Sequence, residues 1–161
     1  MRVNYQDCLA QGLIPLGELT LPIDVSQTSF LESAVKQLRP RIRTWSDNDN
    51  AWSKCIVRTK ILWYSSRPVS FTFRNEMLHL VEFSDPFDGG SNWDYSVEAN
   101  NYFRIKSDIS GYLGKESRFD ERNKQHMDAV WNLGQVQLFV SCEIKTGGCG
   151  IGLRFGSEPN P

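Results

Sequence analysis

Two stretches of the chain alternate apolar and polar side chains with the period of a half-buried strand. In the first, Val57, Thr59, Ile61 and Trp63 alternate with Arg58, Lys60 and Leu62, and Val69, Phe71 and Phe73 alternate with Ser70, Thr72 and Arg74. Residues 65–68 read as the turn between them. Asn75-Glu76 reads as the connection into a third strand, residues 77–83, apolar on both faces. Connections this short predict antiparallel neighbours, because parallel strands need longer crossovers. In the second stretch Val136, Leu138, Val140, Cys142 and Ile144 alternate with Gln137, Phe139, Ser141 and Glu143. Thr146-Gly147-Gly148 then turns the chain into Ile151, Leu153 and Phe155, glycine supplying positive φ at little steric cost.

Helical spacing marks the segments between. A short helix is expected over residues 5–11, followed by an extended stretch at 19–22. Ser29 and Glu32 form a capping box, and Phe30, Leu31, Ala34, Val35 and Leu38 share one helical face. Pro40 disfavours helix at the residue before it, so this helix should stop near Leu38. Residues 94–113 form the longer helix, with Tyr102, Ile105, Ile109, Tyr112 and Leu113 at helical spacing and Gly114 at its C-terminal stop. Residues 41–45 show no clear pattern. Residues 46–50 and 84–91 read as loops, 115–126 as a loop or short helix, and 156–161 as a frayed tail. The sum predicts an α+β fold: an antiparallel sheet of about five or six strands with two main helices packed on one face.

Composition adds limits. The chain has 161 residues, 40% hydrophobic and 23% charged, which excludes disordered, collagen-like and coiled-coil classes and suits one α+β domain over residues 1–161. No apolar run reaches membrane-spanning length, and Asp7 interrupts the only candidate leader, so a cytoplasmic protein without a membrane partner is expected. The formal net charge is −1, from 18 basic and 19 acidic residues, so the total gives no reason to expect nucleic acid as the partner.

Catalytic signatures are missing. His79 and His126 stand in no nucleophile or metal motif, and the run Gly147-Gly148-Cys149-Gly150-Ile151-Gly152 lacks the strand–glycine–helix context of a phosphate loop. Cys8, Cys55, Cys142 and Cys149 form no CxxC pair, and in a reducing compartment they are expected as buried thiols. Cys142 and Cys149 flank the glycine turn and could approach each other. The expectation is a non-enzymatic protein with no catalytic residue, cofactor or metal.

Charge is unevenly placed. Between Asn75 and Phe103 stand six acids (Glu76, Glu82, Asp85, Asp88, Asp94, Glu98) and no Lys or Arg. Between Lys36 and Arg67 stand eight basic residues (Lys36, Arg39, Arg41, Arg43, Lys54, Arg58, Lys60, Arg67) against Asp47 and Asp49. The acidic run includes Trp93 in a glycine-rich loop, a composition suited to recognition, where aromatic anchors carry binding energy and acids steer a basic partner. The candidate binding residues are therefore Glu82, Asp85, Asp88, Trp93, Asp94 and Glu98.

The C-terminal half resembles small bacterial immunity proteins paired with contact-dependent or type VI secreted toxins. The resemblance lies in the helix end Tyr112-Leu113-Gly114-Lys115, in Trp131-Asn132-Leu133-Gly134-Gln135-Val136-Gln137-Leu138, and in the closing Ile151-Gly152-Leu153-Arg154-Phe155. It implies a cytosolic protein that binds a cognate toxin domain, such as a nuclease, and occludes its basic active site. No functional residue carries over from it. Two other readings stand beside it. One is an enzyme or small-ligand binder with a pocket lined by Trp63, Phe71 and Tyr102 and completed by His79 or His126. The other is a nucleic-acid surface on residues 36–67, with steeply salt-dependent binding.

Overall fold

Strand alternation buries one side of each strand, and that one-sidedness organises the molecule. The computed structural model describes residues 3–84, 95–123, 125–143 and 148–155, with the backbone alone for residues 95–98. In chain order the elements are α1 (Tyr5–Ala10), β1 (Leu13–Leu16), β2 (Leu19–Pro22), α2 (Gln27–Glu32), a 3-10 helix (Ala34–Leu38), β3 (Arg41–Asp47), β4 (Asn50–Ile61), β5 (Tyr64–Arg74), β6 (Met77–Ser84), α3 (Tyr95–Leu113), β7 (Arg118–Asn123), β8 (His126–Leu133), β9 (Val136–Glu143) and β10 (Gly148–Phe155).

Strands β3 to β10 form one antiparallel sheet of 8 strands in the order β3-β4-β5-β6-β10-β9-β8-β7, and β1 and β2 form a separate hairpin. The large sheet is two meanders, β3–β6 and β7–β10, joined where β10 pairs with β6 from Gly150↔Ser84 to Arg154↔Leu80. Helix α3 connects the two meanders. One face carries the core: Cys55, Val57 and Ile61 on β4, Val69, Phe71 and Phe73 on β5, Val81 and Phe83 on β6, Ile151 and Leu153 on β10, and Leu138, Val140 and Cys142 on β9 are all buried. Leu9 of α1, Ile14 and Leu16 of β1, Phe30 of α2, Val35, and Tyr102, Ile105 and Ile109 of α3 close over it in the same cluster.

Local sequence explains the joints. Ser26 caps α2 by accepting from the Ser29 N–H, and Ser33 caps the 3-10 helix by accepting from Val35 N–H. The 3-10 helix ends at Arg39, whose φ of 51° cannot continue it. Asn48 at φ 50° and Leu62 at φ 53° turn the β3–β4 and β4–β5 hairpins. Asp108 of α3 ties the second hairpin down: it accepts from Trp63 Nε1 at 2.9 Å and from the Tyr64 hydroxyl at 3.0 Å. Burial, then the Asp108 charge, pushes the Tyr64 phenol up, so it stays protonated and donating. Trp63 also stacks on Tyr112 at 4.1 Å and meets Tyr5 edge-on at 5.2 Å, joining α1, α3 and the hairpin.

The expected α+β fold of five or six strands under two main helices does not hold. The described residues are mostly β, and α1 and α2 have only 6 residues each. Residues 41–50 are a hairpin rather than an unpatterned stretch and a loop, and residues 118–123 are strand β7. Both missed strands lie at sheet edges. Every residue of β3 is exposed, and β7 buries none, so neither shows the buried stripe that alternation needs. The second helix starts after Ser26 rather than Ser29 and breaks at Ser33. The turn expected at 65–68 sits at Leu62-Trp63, with β5 already begun. Pro68 is tolerated because β6 pairs with β5 only from Ser70 onward, leaving that edge of β5 open.

Cys142 and Cys149 are direct partners across β9–β10, and both are buried. Cys8 is half-buried. Burial raises the Cys55 thiol to about 11. A thiol reagent at pH 8 should therefore modify Cys8 first and reach the other three only on unfolding. Rapid native labelling of Cys55 would contradict this packing. Asp108→Ala should lower stability by about 1.5 kcal/mol in urea unfolding, because the buried Tyr64 hydroxyl and the half-buried Trp63 N–H lose a charged acceptor.

Candidate functional site on the open sheet face

The face opposite the core has no helix among the described residues laid over it, and register fixes what it displays. One row of partners runs Arg43, Lys54, Thr72, Leu80, Arg154, Gln137, Asn132 across β3-β4-β5-β6-β10-β9-β8. The next runs Arg41, Ile56, Ser70, Glu82, Gly152, Phe139, Val130, Arg118 and reaches β7. A third places Trp45 opposite Trp52 and Trp52 opposite Arg74.

The β3–β5 end of this face is aromatic and mostly basic, with Asp47 following Trp45 on the same face of β3. The Trp45 and Trp52 rings are parallel within 2° with centroids 6.0 Å apart. His79 meets Trp52 edge-on at 5.3 Å, and the Arg74 guanidinium lies 5.7 Å from the Trp52 ring while donating to Asn50 Oδ1 at 3.1 Å. Trp45 keeps 44% of its surface exposed. Arg41, Arg43, Lys54 and Arg58 project from the same face, and among the described residues no carboxylate lies within ion-pair distance of them. The basic and acidic segments of the sequence thus do not neutralise each other through any described pair.

The β7–β10 end is different. A concavity of about 460 Å³ lies there, lined by Arg118, Asp120, His126, Asp128, Phe139 and Arg154 among others. His126 and Asp128 approach to 3.6 Å. Asp120 accepts from Arg122, which holds its carboxyl at about 2. Arg154 stacks on Phe139 at 4.1 Å. Phe139 lies flat over Gly152: a Cβ built there would meet the ring at 2.2 Å. The position left without a Cβ at Gly152 therefore receives a neighbouring strand's ring.

Of the candidate binding residues, Glu82 lies half-buried at the middle of this open face, between Ser70 and Gly152. Asp85, Asp88, Trp93 and Asp94 lie outside the described residues, as does the side chain of Glu98. The pocket imagined from Trp63, Phe71 and Tyr102 with a histidine does not form. Phe71 is fully buried against Phe30, Tyr102 is fully buried with its hydroxyl on Glu121, and His79 stands across the sheet beside Trp52. Among the described residues no three His, Cys, Asp or Glu side chains converge on a common point as metal ligands do. The Trp45–Trp52 pair was missed because residues 41–50 were not read as paired strands.

No protein-family model matches the chain, and no curated protein matches it in sequence. Among solved structures, a DUF4309 family protein (YjgB) from Bacillus subtilis is similar, with a TM-score of 0.50 and 11% identity over 95% of this chain and 94% of that one. At that identity the likeness concerns the fold alone.

Gly152→Ala should cost about 1–3 kcal/mol, the usual range for overpacking, because Phe139 must leave its seat. Unfolding in urea reads the loss. Restored stability in Gly152→Ala with Phe139→Leu would assign the cost to that contact, and an unchanged midpoint in the single variant would contradict the close approach.

Proposed function

We propose that this chain is a non-enzymatic binding protein that captures a polyanion on the β3–β5 end of its open sheet face. The observation that carries the reading is the set Arg41, Arg43, Lys54 and Arg58. These four cations share one face, Arg41 and Arg43 on the edge strand β3 and Lys54 and Arg58 on its neighbour β4, and have no described carboxylate partner. Unneutralised cations on one surface raise the local concentration of anions and speed their capture. Charged side chains on an edge strand also discourage edge-to-edge pairing, a role that needs no ligand. The exposed tryptophan beside them is what that role leaves unexplained.

The toxin-capturing reading puts the opposite charge on the partner. It rests on Asp85, Asp88, Trp93, Asp94 and Glu98 acting with Glu82, and no described contact supports it over the basic face. The two readings separate by which charge reversal matters.

Labelled heparin, titrated against the full chain at low and then raised salt, tests the proposal. Binding should weaken steeply with salt. The triple variant Arg41→Gln, Arg43→Gln, Lys54→Gln should weaken it at least tenfold, with an unchanged circular dichroism spectrum. Absence of binding at low salt, or equal binding by the triple variant, would overturn the proposal.

A further inference from the structure

Resting on the polyanion reading, we infer that the ligand is a single-stranded nucleic acid whose unpaired bases stack on Trp45. Four observations converge on that class. First, Arg41 and Arg43 stand two residues apart on one strand face, a spacing of about 6.8 Å for extended backbone, comparable with the phosphate repeat of an extended single strand. Lys54, opposite Arg43, and Arg58 further along β4 continue the charge away from the edge.

Second, the indole is placed for stacking. Trp45 lies parallel to Trp52, its partner across the hairpin, and Trp52 is braced by His79 and Arg74. Such bracing packs Trp52 on two sides, and Trp45 lies parallel to it. Base stacking on a pre-positioned aromatic side chain is tolerant of sequence, since every base has a π face.

Third, the surroundings are polar in the manner of a nucleic-acid surface. Ser70, half-buried, lies between the cations and the centre of the sheet, and Asn50 carries an amide beside Arg74. Fourth, the surface is an open sheet at its edge, not a helix or narrow ribbon. It offers no element to enter a duplex groove, and a paired base has no free face to lay on Trp45. An acidic peptide would answer the charges but use the exposed indole only where it carries an aromatic residue, whereas every base offers a π face. The net charge of −1 does not oppose the inference, because the acidic residues of segment 75–103 make no described ion pair with the β3–β4 cations.

The test uses the full chain with three probes: a short oligo(dT), a DNA duplex of equal length, and heparin. Oligo(dT) should bind more tightly than the duplex and quench tryptophan fluorescence. Trp45→Ala should weaken oligo(dT) at least about fivefold, the low end for one lost base–aromatic stack, and leave heparin within twofold. Trp45→Phe should recover part of the oligo(dT) affinity. Arg41→Gln should weaken both ligands and lower the salt slope for oligo(dT) by about one. Trp45 is exposed, so its loss should not disturb the fold, which unfolding in urea checks. If heparin binds but oligo(dT) shows no advantage over the duplex, or Trp45→Ala weakens both ligands equally, the nucleic-acid inference falls and the polyanion reading stands. If neither heparin nor oligo(dT) binds, both fall.

Discussion

Strand β10 returns from the end of the chain to pair with β6, and that ladder makes one sheet out of two meanders. Val81 meets Leu153 and Phe83 meets Ile151 across it, and those four side chains lie in the core. Break the ladder, and each meander would keep its hairpins but expose a row of backbone donors and acceptors and the apolar side chains packed across the joint. The covering elements depend on it as well. Helix α3 contacts β8, β9 and β10, whereas the 3-10 helix and β1 contact β4, so the layer over the core spans both meanders. The continuous open face on the other side is the second consequence. Its rows run from Arg43 and Arg41 on β3 to Asn132 on β8 and Arg118 on β7 only because β6 and β10 are in register.

That open face divides by chemistry. At one end, cations without described partners flank parallel tryptophans. At the other, Arg118 and Arg154 share a concavity with Asp120, His126 and Asp128, so charges are mixed and partly paired. The first end suits a ligand that brings the missing negative charge. The second already answers much of its own. Glu82, between them, is the half-buried acid at the middle of the face.

Much of the core was legible in the sequence, because a buried stripe is what periodicity reports. Val57, Ile61, Val69, Phe71, Phe73, Leu138, Val140, Ile151 and Leu153 alternate as read and are buried. Tyr102, Ile105 and Ile109 likewise fall on the inner face of α3. Strands β3 and β7 were not legible, since an edge strand without a buried side has no stripe to find. Their absence is why the sheet was expected to be smaller. Tyr112 kept the right spacing for the helical face but is 43% exposed, where it stacks on Trp63. The basic segment was visible as charge, but the gathering of Arg41, Arg43, Lys54 and Arg58 onto one face beside Trp45 and Trp52 follows from register across three strands, which no local pattern carries.

The most direct test of the account is amide chemical-shift mapping of the labelled chain as heparin is added. The account predicts shifts concentrated in residues 41–47, 50–58 and 70–74, with the core strands β8 and β9 quiet. Shifts centred instead on residues 82–98, or on the β7–β10 concavity, would contradict the claim that the β3–β5 end of the open face is the working surface.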